Sequence, residues 1–198
     1  LPLLRRAPGA LLAVRSLGAS GLLAAVHPPR EISPILIGTN LWYGDPDAKV
    51  WKQIEQGGFH LIRIGGHAYD KNLPADDTLV AWVKKIRAHG AEPVLQMSQY
   101  QPPERAAALV TLFNKKRAAG APVRFWTIGN EPWLQAGRPD GYRGIPEKIA
   151  GYFKPTAAAM KAVDPTIKIY GPNECALFPA IYAVSYTHLA GDSQMTLP

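Results

Sequence analysis

Arg124-Phe125-Trp126-Thr127-Ile128-Gly129-Asn130-Glu131-Pro132 is an apolar run that stops at a glycine, with an amide, a carboxylate and a proline directly after it. Short, and rich in aromatic and β-branched residues, it reads as a buried strand. If its neighbours are parallel, Asn130 and Glu131 stand at its carboxyl end. In an α/β barrel that is where the loops converge and chemistry is done. A carboxylate fixed there beside an amide can act as a proton donor. The competing reading is a surface strand and turn with Pro132 as punctuation, because Asn-Glu-Pro is a short string.

The flanking sequence has a regular rhythm. Residues 35–38 (Ile-Leu-Ile-Gly) read as a strand, and 46–56 as a helix with Val50, Trp51 and Ile54 on one face. Residues 61–64 form a second strand, closed by Gly65-Gly66. A helix from Asp77 carries Leu79, Val80, Val83 and Ile86 on one face and stops at Gly90. Residues 93–97 are a third strand. Pro103 and Glu104 then open a helix with Ala106, Leu109, Val110 and Phe113 on one side, ending near Gly120. The fourth strand covers 123–128, Pro146 opens a helix to about Val163, and 167–170 are the fifth strand.

Strands recurring roughly every 25 to 45 residues, each separated by one helix, indicate βαβ units and a parallel sheet. Apolar runs without strict alternation fit burial on both faces. Four βα units and the start of a fifth are present. A closed eight-stranded barrel needs about 250 residues, and the chain has 198. It is therefore either an open, doubly wound five-stranded sheet or the front of a barrel. The fold class expected is α/β: a (β/α)₈ TIM barrel truncated after about the fifth strand.

The ends read differently from the middle. Residues 1–31 carry the pair Arg5-Arg6 followed by Ala/Leu/Gly-rich sequence, which resembles an export signal interrupted by Arg15. Were it one, the protein would be secreted or periplasmic. Residues 32–183 are expected to be the barrel portion. Residues 184–198 show neither helical nor strand period, and 184–189 resemble the translated end of a transposon adapter used for sequencing libraries. That tail is expected to be non-native.

Composition narrows the function classes. With 47% hydrophobic and 19% charged residues the chain can bury a real core. The net charge of +7 is spread unevenly, and the clusters Lys84, Lys85, Arg87 and Lys115, Lys116, Arg117 read as solvated helix faces. No basic stripe interleaved with aromatics is present, so no nucleic-acid partner is expected. No apolar stretch reaches membrane-spanning length. One cysteine, Cys175, excludes an intrachain disulfide and a multi-cysteine metal site. The five histidines have no ligand spacing, and Gly65-Gly66-His67 lacks the spacing of a dinucleotide loop. Neither a metal nor a cofactor is expected.

The strand ends form one constellation: Asn40, Trp42 and Tyr43; Arg63 and His67; Gln96, Ser98 and Gln99; Asn130 and Glu131; Asn173 and Glu174. Aromatics, amides and carboxylates are what a sugar site requires, since pyranose faces stack on rings and hydroxyls take paired hydrogen bonds. Trp42 and Tyr43 can equally cap the fold, and His67 can be an ordinary loop histidine. Arg63, inside an apolar strand, is costly unless paired, so a carboxylate partner is expected.

The Gly-Asn-Glu-Pro run on the fourth strand resembles that of the clan A glycoside hydrolases, retaining enzymes on (β/α)₈ barrels. Ile64-Gly65-Gly66 after Arg63, Ile32-Ser33-Pro34, and Gly171-Pro172 are similar to families 39, 44 and 51 of that clan. The resemblance covers about residues 32–178. It implies that Glu131 is the general acid/base, that Asn130 binds the sugar 2-hydroxyl, and that Arg63 supports the nucleophile. Asn40, Trp42, His67 and Trp133 join Asn130 and Arg63 as expected substrate-binding residues. The nucleophile implied is a glutamate after strand seven, beyond this chain, and Glu174 after strand five does not match it. The substrate implied is an oligosaccharide or polysaccharide with β linkages. Two other readings stay open: a carbohydrate-binding barrel without catalysis, and an unrelated open α/β domain.

Overall fold

A computed structural model describes residues 33–41, 44–132 and 145–173. These hold five strands in one parallel sheet. β1 is Gly38–Leu41, β2 Leu61–Ile64, β3 Glu92–Met97, β4 Phe125–Ile128 and β5 Lys168–Tyr170. Their spatial order is β1-β2-β3-β4-β5, every neighbouring pair parallel. A doubly wound sheet requires the order to reverse at a switch point. This sheet has no such reversal, and right-handed crossovers in sequential order lay all helices on one face. Among the described residues, the order thus does not match the open doubly wound alternative.

Helices lying wholly within the described residues are α1 (Ala48–Gln56), α2 (His67–Lys71), α3 (Asp76–Ala88), α4 (Pro103–Val110) and α5 (Ile145–Val163). A wider turn over Thr111–Lys115 prolongs α4. Asp47 caps α1, accepting from the Val50 amide at 2.9 Å, one of the orphan donors that every helix start leaves. Alternate strand residues, Ile62 and Ile64, Leu95 and Met97, Trp126 and Ile128, join one apolar cluster with Leu79, Val83, Ile86, Leu109 and Phe113. Each such fully buried side chain contributes about 1.5–3 kcal/mol. The residues between them face the other way, and cross-strand register aligns Asn40 with Arg63 and Gln96 with Thr127.

Several expected boundaries move. The first strand is not 35–38: Pro34–Leu36 form a 3₁₀ turn, and Leu36 is 75% exposed. Pairing starts later because the Ile37 carbonyl accepts from the His60 and Leu61 amides, which sets the register of Gly38 on Leu61. Asn40 consequently lies inside β1 rather than after it. Val50 is exposed, while Trp51 and Ile54 carry the buried face of α1. The fourth strand starts at Phe125, and α2 was not expected at all. Arg87 is no free surface charge; it donates to the carbonyls of Ala119, Ala121 and Pro122 and ties α3 to the loop before β4. Cys175, the leader and the tail lie outside the described residues.

Candidate active site

The carboxyl ends of β1 to β4 bring Asn40, Arg63, Gln96, Asn130 and Glu131 together. Arg63 projects from β2 on the face opposite the apolar cluster. Its Nη2 donates to Asn130 Oδ1 at 2.8 Å and to Gln96 Oε1, and its Nη1 reaches Asn40 Oδ1 at 3.5 Å. The expected carboxylate partner is replaced by amide oxygens. Negative charge stands one step further off: burial pushes the guanidinium down from its ordinary value, opposed by the charges of Asp70 and Glu131. Arg63 Nε is buried with no partner among the described residues.

Gly65 makes room for this arrangement. A Cβ there would stand 2.5 Å from Gln96 Oε1 and 2.8 Å from Arg63 Nε, inside van der Waals contact, so a larger residue enters only by displacing those two side chains. Gln96 Oε1 also accepts from the Gly66 amide at 2.7 Å. With its oxygen facing two donors, the amide must turn its NH₂ the other way, to Asp70 Oδ1 at 3.0 Å. The same logic orients Asn130. Its Oδ1 is held by a cation, so its Nδ2 faces Glu131 Oε2 at 3.1 Å.

Glu131 has φ 45°, in the left-handed region that residues other than glycine rarely enter. Such a conformation costs about 1–3 kcal/mol and persists only where the surroundings enforce it, often at functional sites. Its amide donates to the Asn173 carbonyl at 2.8 Å, and Asn173 Nδ2 donates to the Gly129 carbonyl at 3.0 Å. Gly129 has φ 78°, and a Cβ on it would stand 2.8 Å from the Tyr152 hydroxyl. β4 and the residues after β5 thus fix the turn from both sides.

Asp70 is the member that sequence reasoning missed. It lies in α2, 1% exposed, and accepts from Gln96 Nε2, the Gln99 amide, Gln99 Nε2 and the Asn130 amide. Burial raises its carboxyl above the ordinary range, and those N–H donors oppose the rise. A signal existed: an arginine inside an apolar strand needs a counter-charge, and Asp70 is the first carboxylate after the Gly65-Gly66 strand end. Ser98 Oγ donates to the Asp70 carbonyl, so two of the expected strand-three residues also hold α2. His67 opens α2. Trp42, Tyr43, Trp133 and Glu174 lie outside the described residues.

No group of three His, Cys, Asp or Glu among the described residues could hold a metal. No helix among them is long and apolar enough to cross a membrane.

No protein-family model matches the sequence, and no curated protein matches it. Solved structures do. A glucosidase from Croceicoccus marinus is similar at 16% identity and a TM-score of 0.52, over 75% of this chain and 40% of that one. A family 51 alpha-L-arabinofuranosidase, AbfB from Bifidobacterium longum, is similar at 19% identity and a TM-score of 0.57, over 79% of this chain and 42% of the other. The chain has a glycosidase-like fold. At such identities the likeness concerns the fold alone, and the chain spans about two fifths of each neighbour's length.

Proposed function

We propose that this chain carries the first four βα units and the fifth strand of a (β/α)₈ retaining glycoside hydrolase that cleaves O-glycosidic bonds of a β-linked glycan. Glu131 is its general acid/base. The observation that carries the reading is Glu131 itself, a carboxylate in a strained backbone conformation at the carboxyl end of β4, hydrogen-bonded to Asn130. The domain reading goes with it: barrel over 32–183, preceded by a leader and followed by a non-native tail.

In this mechanism a second carboxylate, about 5 Å from Glu131, attacks the anomeric carbon. The C1–O bond to the leaving group breaks as Glu131 gives its proton to the departing oxygen. Glu131 then takes a proton from water, which attacks C1 and releases the enzyme carboxylate. Asn130 Nδ2, turned away from Arg63, offers its second N–H to the sugar 2-hydroxyl, an interaction that strengthens in the oxocarbenium-like transition state. Arg63, with Nε unspent among the described residues, would support the nucleophile. Asn40, His67, Trp42 and Trp133 complete the sugar contacts in this reading. The nucleophile is assigned to a glutamate after strand seven, outside these residues.

The complete protein should hydrolyse aryl glycosides, with Glu131→Gln lowering kcat about 100-fold or more. Wild-type turnover by that variant would overturn the assignment. The 198 residues alone should show no turnover; turnover by them that Glu131→Gln abolishes would overturn the need for a later carboxylate.

A further inference from the structure

We propose that Asp70 is a positioning residue: its buried carboxylate clamps the Asn130–Glu131 turn to the loop after β3 and fixes both side chains for proton transfer. The inference rests on the acid/base reading of Glu131 above, and its geometry stands apart from that reading.

Asp70 is too enclosed to meet a substrate directly. It is 1% exposed, and both carboxylate oxygens are fully engaged. Oδ1 accepts from Gln96 Nε2 at 3.0 Å and the Gln99 amide at 3.2 Å. Oδ2 accepts from the Asn130 amide at 3.0 Å and from Gln99 Nε2. All four partners are N–H donors, so only the ionised, acceptor-only form satisfies them.

The consequence is a closed circuit. Asp70 orients Gln96; Gln96 Oε1 accepts from Arg63; Arg63 holds Asn130 Oδ1; and Asn130 Nδ2 meets Glu131. A direct arm from Asp70 to the Asn130 backbone closes the loop. Asn130 is therefore gripped by its backbone from one side and by its side chain from the other. A loose grip would let Glu131 leave its left-handed conformation, moving the proton away from the leaving oxygen. Misplacement of about 1 Å can cost about 100-fold in rate.

Asp70→Asn keeps the shape but turns one acceptor into a donor, facing Asn130 or Gln99. The test uses the complete protein with phenyl and 2,4-dinitrophenyl glycosides of whichever sugar the unmutated protein turns over. A dinitrophenolate leaves without protonation, so a misplaced acid matters little there. Asp70→Asn should lower kcat/KM about 100-fold on the phenyl glycoside and at least about tenfold less on the dinitrophenyl one, with KM not raised on either. Equal losses on both substrates, a raised KM at unchanged kcat, or wild-type kinetics would each overturn the proposal.

A crystal structure of the unmutated complete protein gives a second reading, independent of activity and of whether the variant folds. The Asn130 amide should donate to Asp70; an Asn130 amide turned elsewhere overturns the proposal. If the complete protein hydrolyses no glycoside, the acid/base reading fails, while this crystallographic reading still decides the clamp.

Discussion

The strand-end network and the cluster around Asp45 on the helix layer use similar groups in opposite surroundings. In the first, Asp70 is buried and Arg63 half-buried, the two joined through Gln96, with every Asp70 oxygen engaged. In the second, Asp45 pairs with Lys85 at 2.7 Å, the side chains 40% and 39% exposed. Trp51 donates its indole N–H to Asp45 at 2.9 Å and stacks on His89 with ring centres 4.4 Å apart. Lys85 lies 5.4 Å from the Trp51 ring. The difference teaches where charge matters. Water can replace any partner around Asp45, whereas around Asp70 a lost partner leaves a buried group unsatisfied.

Four substitutions break or sharpen that contrast, read by chemical denaturation of the complete protein. Asp70→Asn should cost the most, about 3 kcal/mol, because a buried N–H loses its acceptor and Arg63 loses a counter-charge. Gly65→Ala should cost about 2 kcal/mol by forcing Gln96 and Arg63 apart, and should also lower activity. Arg87→Ala should cost about 1 kcal/mol, since the carbonyls of Ala119, Ala121 and Pro122 lose a charged donor but can reach water.

Asp45→Asn should cost least, at most about 0.5 kcal/mol after allowance for solvent screening. Its pH dependence is the sharper measurement. Burial would raise the Asp45 carboxyl, but hydrogen bonds from Lys85 and Trp51 outweigh it and hold the group below 3.8. A lowered folded-state value means the stabilisation is present above pH 3.8 and is lost as pH falls through the folded value. The gap between wild type and Asp45→Asn should therefore close in acid and shrink in high salt. A gap as large as that of Asp70→Asn would erase the distinction between the two regions.

Much of the fold was legible because β3 and β4 are buried on both faces and β2 on one. β2, β3 and β4 show as apolar runs, and the helix faces of α3 and α4 recur at helical spacing, with Leu79, Val83, Ile86, Leu109 and Phe113 all fully buried. β1 was misread because burial weakens at that edge. Ile35, Leu36 and Ile37 look like a strand, while Gly38-Thr39-Asn40-Leu41 does not. α2 escaped because His67-Ala68-Tyr69-Asp70-Lys71 is too short to show a periodic face. Within the site, Asn130, Glu131 and Arg63 could be named from their strand ends. The amide bridges could not, because Gln96 and Asn130 meet Arg63 only through strand register. Nor could the φ of Glu131, which is set by Asn173 across a neighbouring strand.

The most direct test of the central claim is Glu131→Ala in the complete protein, assayed on an activated aryl glycoside with and without sodium azide. Azide needs no general base to attack a glycosyl-enzyme, so it should restore turnover of the crippled variant. The product should be a glycosyl azide of the same anomeric configuration as the substrate. A Glu131→Ala protein with wild-type activity, or one whose residual turnover azide leaves unchanged, would contradict the assignment of Glu131 as the acid/base of a retaining glycosidase.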